Sequence, residues 1–226
     1  MKTFKLHLIR HGMTAGNLQG LYIGSGTDIP LCDEGRAQLN ELKERFEYPQ
    51  VDTVFSSPLL RAVETANILF PDAKHTFTVH DLREAGFGKF ENKPVKELVH
   101  DEDFKKWITP GSGYVPEGAE PTDQFHARCA ESLMKLFEYM IRMDVTEAAC
   151  VTHGGVIMSM LSQRAERKTV PVAILRLQIK VLHCCLPVKV GNSLVPIRKK
   201  RFRPSSIQVM FLIVLFLPVP PQNLLF

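Results

Sequence analysis

The feature that most constrains this chain is a short apolar run that ends abruptly in Arg-His-Gly. The run from Phe4 to Ile9 is typical of a short buried strand, and Arg10, His11 and Gly12 follow it directly. In an open α/β sheet, ligands bind at the carboxyl ends of the strands. A guanidinium, an imidazole and a residue without Cβ at that place suit an anion, most simply a phosphoryl group, which a neutral imidazole can attack.

Two more polar side chains follow the same turn, the hydroxyl of Thr14 and the amide of Asn17. Alone, Arg10 and His11 at the end of a strand are more often a polar pair on the surface than a catalytic pair. The choice therefore depends on whether polar groups from other parts of the chain come to the same edge of the sheet.

A second predicted strand, at residues 51–56, precedes a helix with Ser57 as its N-cap and a proline at its first position. Arg61 then lies in the first turn, near the carboxyl end of this strand. If the two strands are neighbours in a parallel sheet, Arg61 reaches the same pocket, where two guanidinium groups would spread the charge of a phosphoryl transition state. The alternative is an exposed arginine paired with Glu34 or Glu64.

Two further predicted strands end in groups that suit the same chemistry. A strand at residues 76–80 is followed by Glu84, which can protonate a leaving alkoxide and then activate water; the alternative is a solvated loop acid. A buried strand at residues 148–152 runs into His153 and two glycines, and an apolar helix follows at residues 156–161. The N-terminus of a helix is a favourable place for an anion.

An irregular insert at about residues 86–122 separates the third strand from the next core helix, and we expect it to form a lid. It contains one predicted helix, around residues 95–107. Trp107 and Tyr114 either line a substrate pocket or pack the lid onto the body. The amphipathic segment at residues 125–143 predicts a long core helix.

Together, these motifs resemble the histidine phosphatase superfamily in its phosphoglycerate mutase-like branch. Four separated segments within residues 3–163 carry the resemblance: Arg10–Asn17, Ser56–Ala66, Leu82–Glu91 and Thr152–Gly155. The stretch from Tyr22 to Gln38 is similar to the α-ribazole phosphatase group of this superfamily. The resemblance implies a three-layer α/β/α fold with a mostly parallel central sheet.

The resemblance also implies a role for each polar group at the strand ends. His11 would attack phosphorus and become transiently phosphorylated, and Glu84 would serve as the acid for the leaving group and the base for water. Arg10, Arg61 and His153 would bind the phosphoryl oxygens. The residues expected to help place the substrate are Thr14, Asn17, Gly24 and Gly154. We expect no metal or other cofactor, because cationic side chains take the place of an ion.

The implied function is that of a histidine acid-type phosphatase, a phosphomonoester hydrolase acting on a small phosphorylated metabolite of the α-ribazole phosphate kind. Two alternatives stay open: phosphoryl transfer as in a phosphoglycerate mutase, and a non-catalytic regulatory protein that binds phosphate. The mutases usually carry Glu-Ser after Arg-His-Gly, where this chain has Met13 and Thr14, and this difference favours the hydrolase.

Cysteine usage and the N-terminus bear on location. The five cysteines are scattered without a C-x-x-C pair, which predicts reduced thiols rather than a disulfide framework or a zinc site. The N-terminus has no signal-peptide pattern. We therefore expect a cytoplasmic protein, monomeric or homodimeric, with no nucleic-acid partner.

The composition changes abruptly after Gln163. Residues 1–163 carry 17 Lys and Arg against 23 Asp and Glu, whereas residues 164–226 carry 11 against one. We interpret residues 1–163 as the histidine phosphatase domain and residues 164–226 as an atypical basic and apolar tail, poorly ordered or read in a shifted frame. The alternative for the tail is contact with a membrane surface, although its apolar run at residues 209–217 is shorter than the about 20 residues needed to span a bilayer.

Overall fold

The centre of the protein is a sheet of five parallel strands. The computed structural model describes residues 2–166 and 175–182. The strands are β1 (Lys2–Arg10), β2 (Thr53–Ser56), β3 (His75–Thr78), β4 (Glu147–Thr152) and β5 (Leu175–Leu182). Their order across the sheet is β3-β2-β4-β1-β5, and each neighbouring pair is parallel. Parallel strands need long connections, which the helices supply, so strands that are neighbours in the sheet need not be consecutive in the chain.

Helices cover both faces of this sheet. They are α1 (Ala15–Leu18), α2 (Asp33–Arg45), α3 (Leu60–Leu69), α4 (Val95–Leu98), α5 (Glu102–Ile108), α6 (Thr122–Arg142) and α7 (Gly154–Glu166). One buried cluster joins β1 to α6 and α7, and a second joins the opposite face to α2 and α3. The predicted three-layer α/β/α fold with a mostly parallel sheet is therefore confirmed.

β1 illustrates why the strands form where they do. Phe4, Leu6 and Leu8 face the cluster that includes α6 and α7, whereas Ile9 faces the cluster of α2 and α3. A strand covered on both faces is expected to be apolar almost throughout. His7 is the buried exception, and its Nε2 lies 2.7 Å from a carboxylate oxygen of Glu147 on the adjacent strand.

The register of β1 against β4 places the turn at Arg10 and His11 level with the turn at Thr152 and His153. Arg10 is paired with Thr152, so both strands end together, and the N–H of His11 donates to the carbonyl of Thr152 at 2.9 Å. On the other side of β4, the N–H of Ser57 donates to the carbonyl of Val151 at 2.9 Å. The carboxyl ends of β1, β4 and β2 therefore form one continuous edge.

The helix after β2 begins later than predicted. Ser57 is not its N-cap: the chain bends at residues 58–59, Leu59 is the N-cap residue, and the helix starts at Leu60. The hydroxyl of Ser57 instead lies 2.7 Å from Nε2 of His153. Local sequence preference assigns the side chain of Ser57 to a helix cap, whereas in the structure it makes a contact across the sheet.

The insert also differs from its predicted form, because it contains two helices rather than one. α4 and α5 are separated at residues 99–101. The carboxylate of Asp101 accepts hydrogen bonds from the N–H groups of Asp103 and Phe104, and this side-chain cap starts α5. Asp at an N-cap stabilises a new helix start and thus divides the segment.

The tail at residues 164–226 lies largely outside the described residues. Within it, α7 continues to residue 166, and β5 pairs in parallel with β1 at the edge of the sheet. This strand was not predicted. The domain boundary at residue 163, the frame shift and the membrane alternative stay predictions, and the basic and apolar runs at residues 198–217 lie outside the described residues. Among those that are described, no helix combines the length and the apolar character needed to cross a bilayer.

We expect the Leu8→Ala substitution to lower the free energy of unfolding by about 2–5 kcal/mol, because it leaves a cavity in the cluster between β1 and α6. The matched control is Leu18→Ala, since the side chain of Leu18 is 53% exposed; this change should cost less than about 0.5 kcal/mol. Urea unfolding followed by circular dichroism measures both. Equal losses for the two variants would contradict this account of the core.

Candidate active site

Two imidazoles lie side by side at the edge formed by the strand ends. The ring centroids of His11 and His153 are 5.1 Å apart, and the ring planes are inclined by 56°. Both side chains are buried. Because each ring directly follows a strand of the same sheet, the register described above fixes their separation.

The hydrogen bond of His11 fixes which of its ring nitrogens carries the proton. Nδ1 lies 2.7 Å from the carbonyl oxygen of Gly12, which can only accept, so Nδ1–H donates and Nε2 holds a free lone pair. Burial lowers the pKa of His11 well below its ordinary value, and the charges of Arg10 and Arg61 lower it further. The ring is therefore a neutral base or nucleophile with Nε2 as its reactive atom.

His153 and Arg10 each present a buried nitrogen without a partner. Among the described residues, Nδ1 of His153 and Nε of Arg10 make no hydrogen bond. Nε of Arg10 lies next to Gly154, the residue after His153: a Cβ on this glycine would be 3.7 Å away from it. Leaving buried polar groups unpaired costs free energy. Such a pair at one place indicates a site for a ligand that accepts hydrogen bonds.

Arg61 is buried, not exposed as in the alternative interpretation. Its Nη1 and Nη2 donate to the carbonyl oxygens of Thr27 and Gly24, each at 3.0 Å. Glu64, the partner considered for an exposed arginine, instead accepts from Arg36. Burial lowers the pKa of Arg61, although it stays a cation. The guanidinium therefore holds the loop between α1 and α2 while its charge acts on His11.

Glu84 is also buried, not a solvated loop acid. Its carboxylate accepts from the N–H of Gly155 at the start of α7 and from the N–H of Ala85, both at 3.0 Å. Burial raises the pKa of Glu84, against the opposing effect of these two hydrogen bonds. A Cβ on Gly155 would come within 2.5 Å of the Glu84 Oε1 atom. The glycine therefore makes room for the carboxylate.

Thr14 and Asn17 form the start of α1. The hydroxyl of Thr14 accepts from the N–H of Asn17 at 3.2 Å, and the Asn17 Oδ1 atom accepts from the N–H and the hydroxyl of Thr14. This capping box uses the oxygen of the Asn17 amide. Asn17 is an exposed residue next to the turn. The structure thus places both residues at the start of α1, and their substrate contacts stay predictions.

Gly24 and Gly154 have different surroundings. The N–H of Gly24 donates to Glu91 at 3.0 Å, and a Cβ on it would lie 2.4 Å from the carbonyl oxygen of Ala85. Gly24 is therefore required by close packing of two loops. Gly154 is the first residue of α7 and borders Arg10. A role for either glycine in binding substrate stays a prediction.

Three residues that organise the site were not singled out from the sequence. Glu91 accepts from the N–H groups of Gly24, Gly26 and Phe87 and from the hydroxyl of Thr27, and so holds the loop that Arg61 also contacts. Ser57 contacts His153, as described above. Arg128 of α6 contacts the backbone around Glu84. The family segments named from the sequence contain both Glu91 and Ser57, and this was the available signal; the role of Arg128 depends on contacts across the fold.

The aromatic residues of the lid mainly pack against one another. Tyr22 and Phe87 are stacked with ring centroids 4.1 Å apart, and Trp107 lies 5.6 Å from both Phe87 and Phe90. The hydroxyl of Tyr114 accepts from the ammonium of Lys89 at 3.2 Å. These contacts join the lid to the loop beside the site, and a further role in lining a substrate pocket stays a prediction.

The comparisons with known proteins agree with this geometry. The sequence matches the histidine phosphatase superfamily, branch 1, over residues 6–185. It is 31% identical over 212 residues to fructose-2,6-bisphosphatase TIGAR B of Danio rerio, which covers 83% of this chain and 79% of the relative. It is 29% identical over 174 residues to the adenosylcobalamin/alpha-ribazole phosphatase of Salmonella typhimurium, covering 76% and 83%.

A solved structure is similar as well. The alpha-ribazole phosphatase from Shigella flexneri superposes with a TM-score of 0.60 at 27% sequence identity, covering 72% of this chain and 79% of that one. The matched superfamily region continues beyond residue 163 to residue 185 and so includes β5.

We expect His11 to be neutral at about pH 6, with its proton on Nδ1, because burial and two guanidinium groups disfavour the imidazolium. Long-range ¹H–¹⁵N correlation spectra of the imidazole nitrogens distinguish the tautomers, and the His11→Asn variant assigns the signal. A doubly protonated ring at this pH, or a proton on Nε2, would contradict the assignment.

Proposed function

Because the chain belongs to the histidine phosphatase superfamily, branch 1, we propose that it is a phosphomonoester hydrolase of the histidine acid type. One observation carries the proposal: the ring of a neutral His11 lies 5.1 Å from the ring of His153, and Nδ1 of His153 and Nε of Arg10 are buried and unpaired among the described residues. A nucleophile and donors for the transferred group's oxygens are thereby combined in one place.

In the first step, Nε2 of His11 attacks phosphorus as the bond to the leaving oxygen breaks. Glu84, whose pKa is raised by burial, donates its proton to that oxygen and the alcohol departs. The products are phosphohistidine and the Glu84 carboxylate. In the second step, this carboxylate takes a proton from water as the water oxygen attacks phosphorus, and phosphate and free His11 result.

Charge at phosphorus is stabilised by groups that do not react. The guanidinium groups of Arg10 and Arg61 supply fixed positive charge, and their field in a buried site is stronger than it would be in water. Nδ1 of His153 can donate to a phosphoryl oxygen when the hydroxyl of Ser57 donates to Nε2. Cationic side chains thus serve in the place of a metal ion.

For the substrate, we propose a small phosphorylated metabolite of the α-ribazole phosphate kind. The relatives with α-ribazole phosphatase activity in their names support this choice, and the fructose-2,6-bisphosphatase relative supports the broader class. A cytoplasmic location and a monomeric or homodimeric state belong to the same proposal. A panel of phosphomonoesters, assayed for released phosphate, ranks the candidates, and α-ribazole phosphate should rank above fructose 2,6-bisphosphate.

We expect the His11→Asn substitution to lower kcat/KM for an aryl phosphate by at least about a thousandfold, because the nucleophile is lost. The matched control is His100→Asn, at an exposed residue, which should leave kcat/KM within about twofold. Rapid quenching of the wild type with ³²P-labelled substrate should trap an acid-labile, base-stable label that is absent from His11→Asn.

Three results would contradict the proposed hydrolysis. Equal activity of wild type and His11→Asn would indicate that the phosphohistidine is not on the pathway. Binding of phosphate without turnover of any ester would favour a regulatory protein. Isomerisation of a phosphoglycerate in the presence of a bisphosphate, faster than release of phosphate, would favour a mutase.

We expect kcat/KM for an alkyl phosphate to fall as the pH rises through the raised pKa of Glu84, since the acid must be protonated for the first step. On the acid side, the lowered pKa of His11 keeps the nucleophile neutral to well below about pH 6.5. A Glu84→Gln variant should be slower by about a hundredfold or more and should lose this alkaline limb. An alkaline limb that persists in this variant would contradict the assignment.

A further inference from the structure

The backbone that carries Glu84 is held by Arg128, a partly buried arginine of α6. Nη1 of Arg128 donates to the carbonyl oxygens of Asp81 and Arg83 at 2.7 and 2.8 Å. Its Nη2 donates to the carbonyl oxygen of Glu84 at 3.0 Å. A single planar group thus contacts three carbonyls within four residues and still has donors for another partner, whereas an ammonium has only three donors in all.

Glu120 holds this guanidinium in place. Nε and Nη2 of Arg128 donate to its two carboxylate oxygens at 2.6 and 2.7 Å, a bidentate pair with side chains only 11% and 15% exposed. The guanidinium also lies 4.9 Å from the ring centroid of Phe125. Bidentate pairing of this kind fixes orientation as well as charge. The lid segment that contains Glu120 is therefore joined to the segment before Glu84.

The other end of Glu84 is fixed by α7. Its carboxylate accepts from the N–H of Gly155, and there is no space there for even one additional carbon atom. A displacement of the backbone at residues 81–84 would therefore move the carboxyl away from Gly155 or tilt it. Misplacement of a reacting group by about 1 Å can cost about a hundredfold in rate.

We propose that Arg128, held by Glu120, is a positioning residue for the general acid, and that it determines how well this enzyme cleaves esters with poor leaving groups. The inference rests on the proposed function, since it assigns Glu84 the role of proton donor. Arg128 acts through the backbone and does not touch the phosphoryl group. Its charge is paired with Glu120 and also acts on Glu84 and His153, whereas the charges of Arg10 and Arg61 act on His11.

The leaving group distinguishes this role from a general loss of structure. An alkoxide needs a proton as it departs, whereas 2,4-dinitrophenolate departs without one. kcat/KM reports the steps up to departure of the alcohol, so a misplaced acid makes it fall more for alkyl esters than for activated aryl esters. A variant with fewer folded molecules would lose the same factor with every substrate.

The experiment measures kcat/KM for a series of alkyl and aryl phosphates with leaving groups of different basicity. Arg128→Ala should lose about tenfold or more with alkyl phosphates and stay within about twofold with 2,4-dinitrophenyl phosphate. Arg128→Lys should lie between this variant and the wild type, and Glu120→Gln should shift in the same direction. The inhibition constant of inorganic phosphate should not change.

The matched control is Arg142→Ala, on the same helix but with a side chain that is 74% exposed and paired with Glu138. It should leave the dependence on the leaving group unchanged. Thermal unfolding shows whether Arg128→Ala is folded, and Arg128→Lys decides the matter if it is not. The same loss with all substrates, or no loss with any, would overturn the inference. An inactive wild type would overturn the proposed function first, which is a different result.

Discussion

The parallel pairing of β1 with β4 is the constraint on which the site depends. Because Arg10 is paired with Thr152, the next residue of each strand is a histidine at the same edge of the sheet. A shift of one residue in this register would turn every side chain of β1 to the opposite face and bury the wrong set. The two layers of apolar packing therefore determine the separation of the imidazoles.

Burial then determines the chemistry of the groups that the register brings together. Burial lowers the pKa of His11 and raises that of Glu84, so in each group it favours the uncharged form that the first step requires. The charges of Arg10 and Arg61 also lower the pKa of His11. Both guanidinium groups would instead favour an ionised Glu84, and burial is the larger effect.

The sequence was sufficient for the groups that follow strands and insufficient for those that act through distant contacts. Arg10 ends a strand, His11, Glu84 and His153 each follow one, and parallel strands bring their carboxyl ends to one edge. Ser57 was assigned to a helix cap because propensity describes only its neighbours along the chain, whereas its partner is His153, 96 residues away.

Arg128, which lies on a helix, is another residue whose contacts the sequence did not indicate. On α6, its position gives no sign that its partners are backbone carbonyls 44 to 47 residues earlier in the chain. The strand at Leu175–Leu182 was missed for a related reason, since the change in charge after Gln163 was given more weight than the alternation of its residues. The local composition of a segment indicates its preference for solvent. It does not indicate whether the segment pairs with β1, because that depends on an open edge of the sheet.

The two halves of the proposed reaction are held by different parts of the fold. The phosphoryl side consists of His11 and Arg10 after β1, together with Arg61 on α3, and the hydroxyl of Thr65 on α3 accepts from the N–H of Gly12 at 2.9 Å. The proton-donating side is held between α6 and α7, and the lid reaches it through Glu120. Glu120 of the lid reaches the backbone of the acid through Arg128, whereas Glu91 of the lid holds the loop that Arg61 contacts. Sequence changes near Glu120 can therefore alter which alcohols are released with little effect on the phosphoryl side. This separation gives a physical reason why proteins similar to this chain can carry names that refer to different phosphorylated substrates.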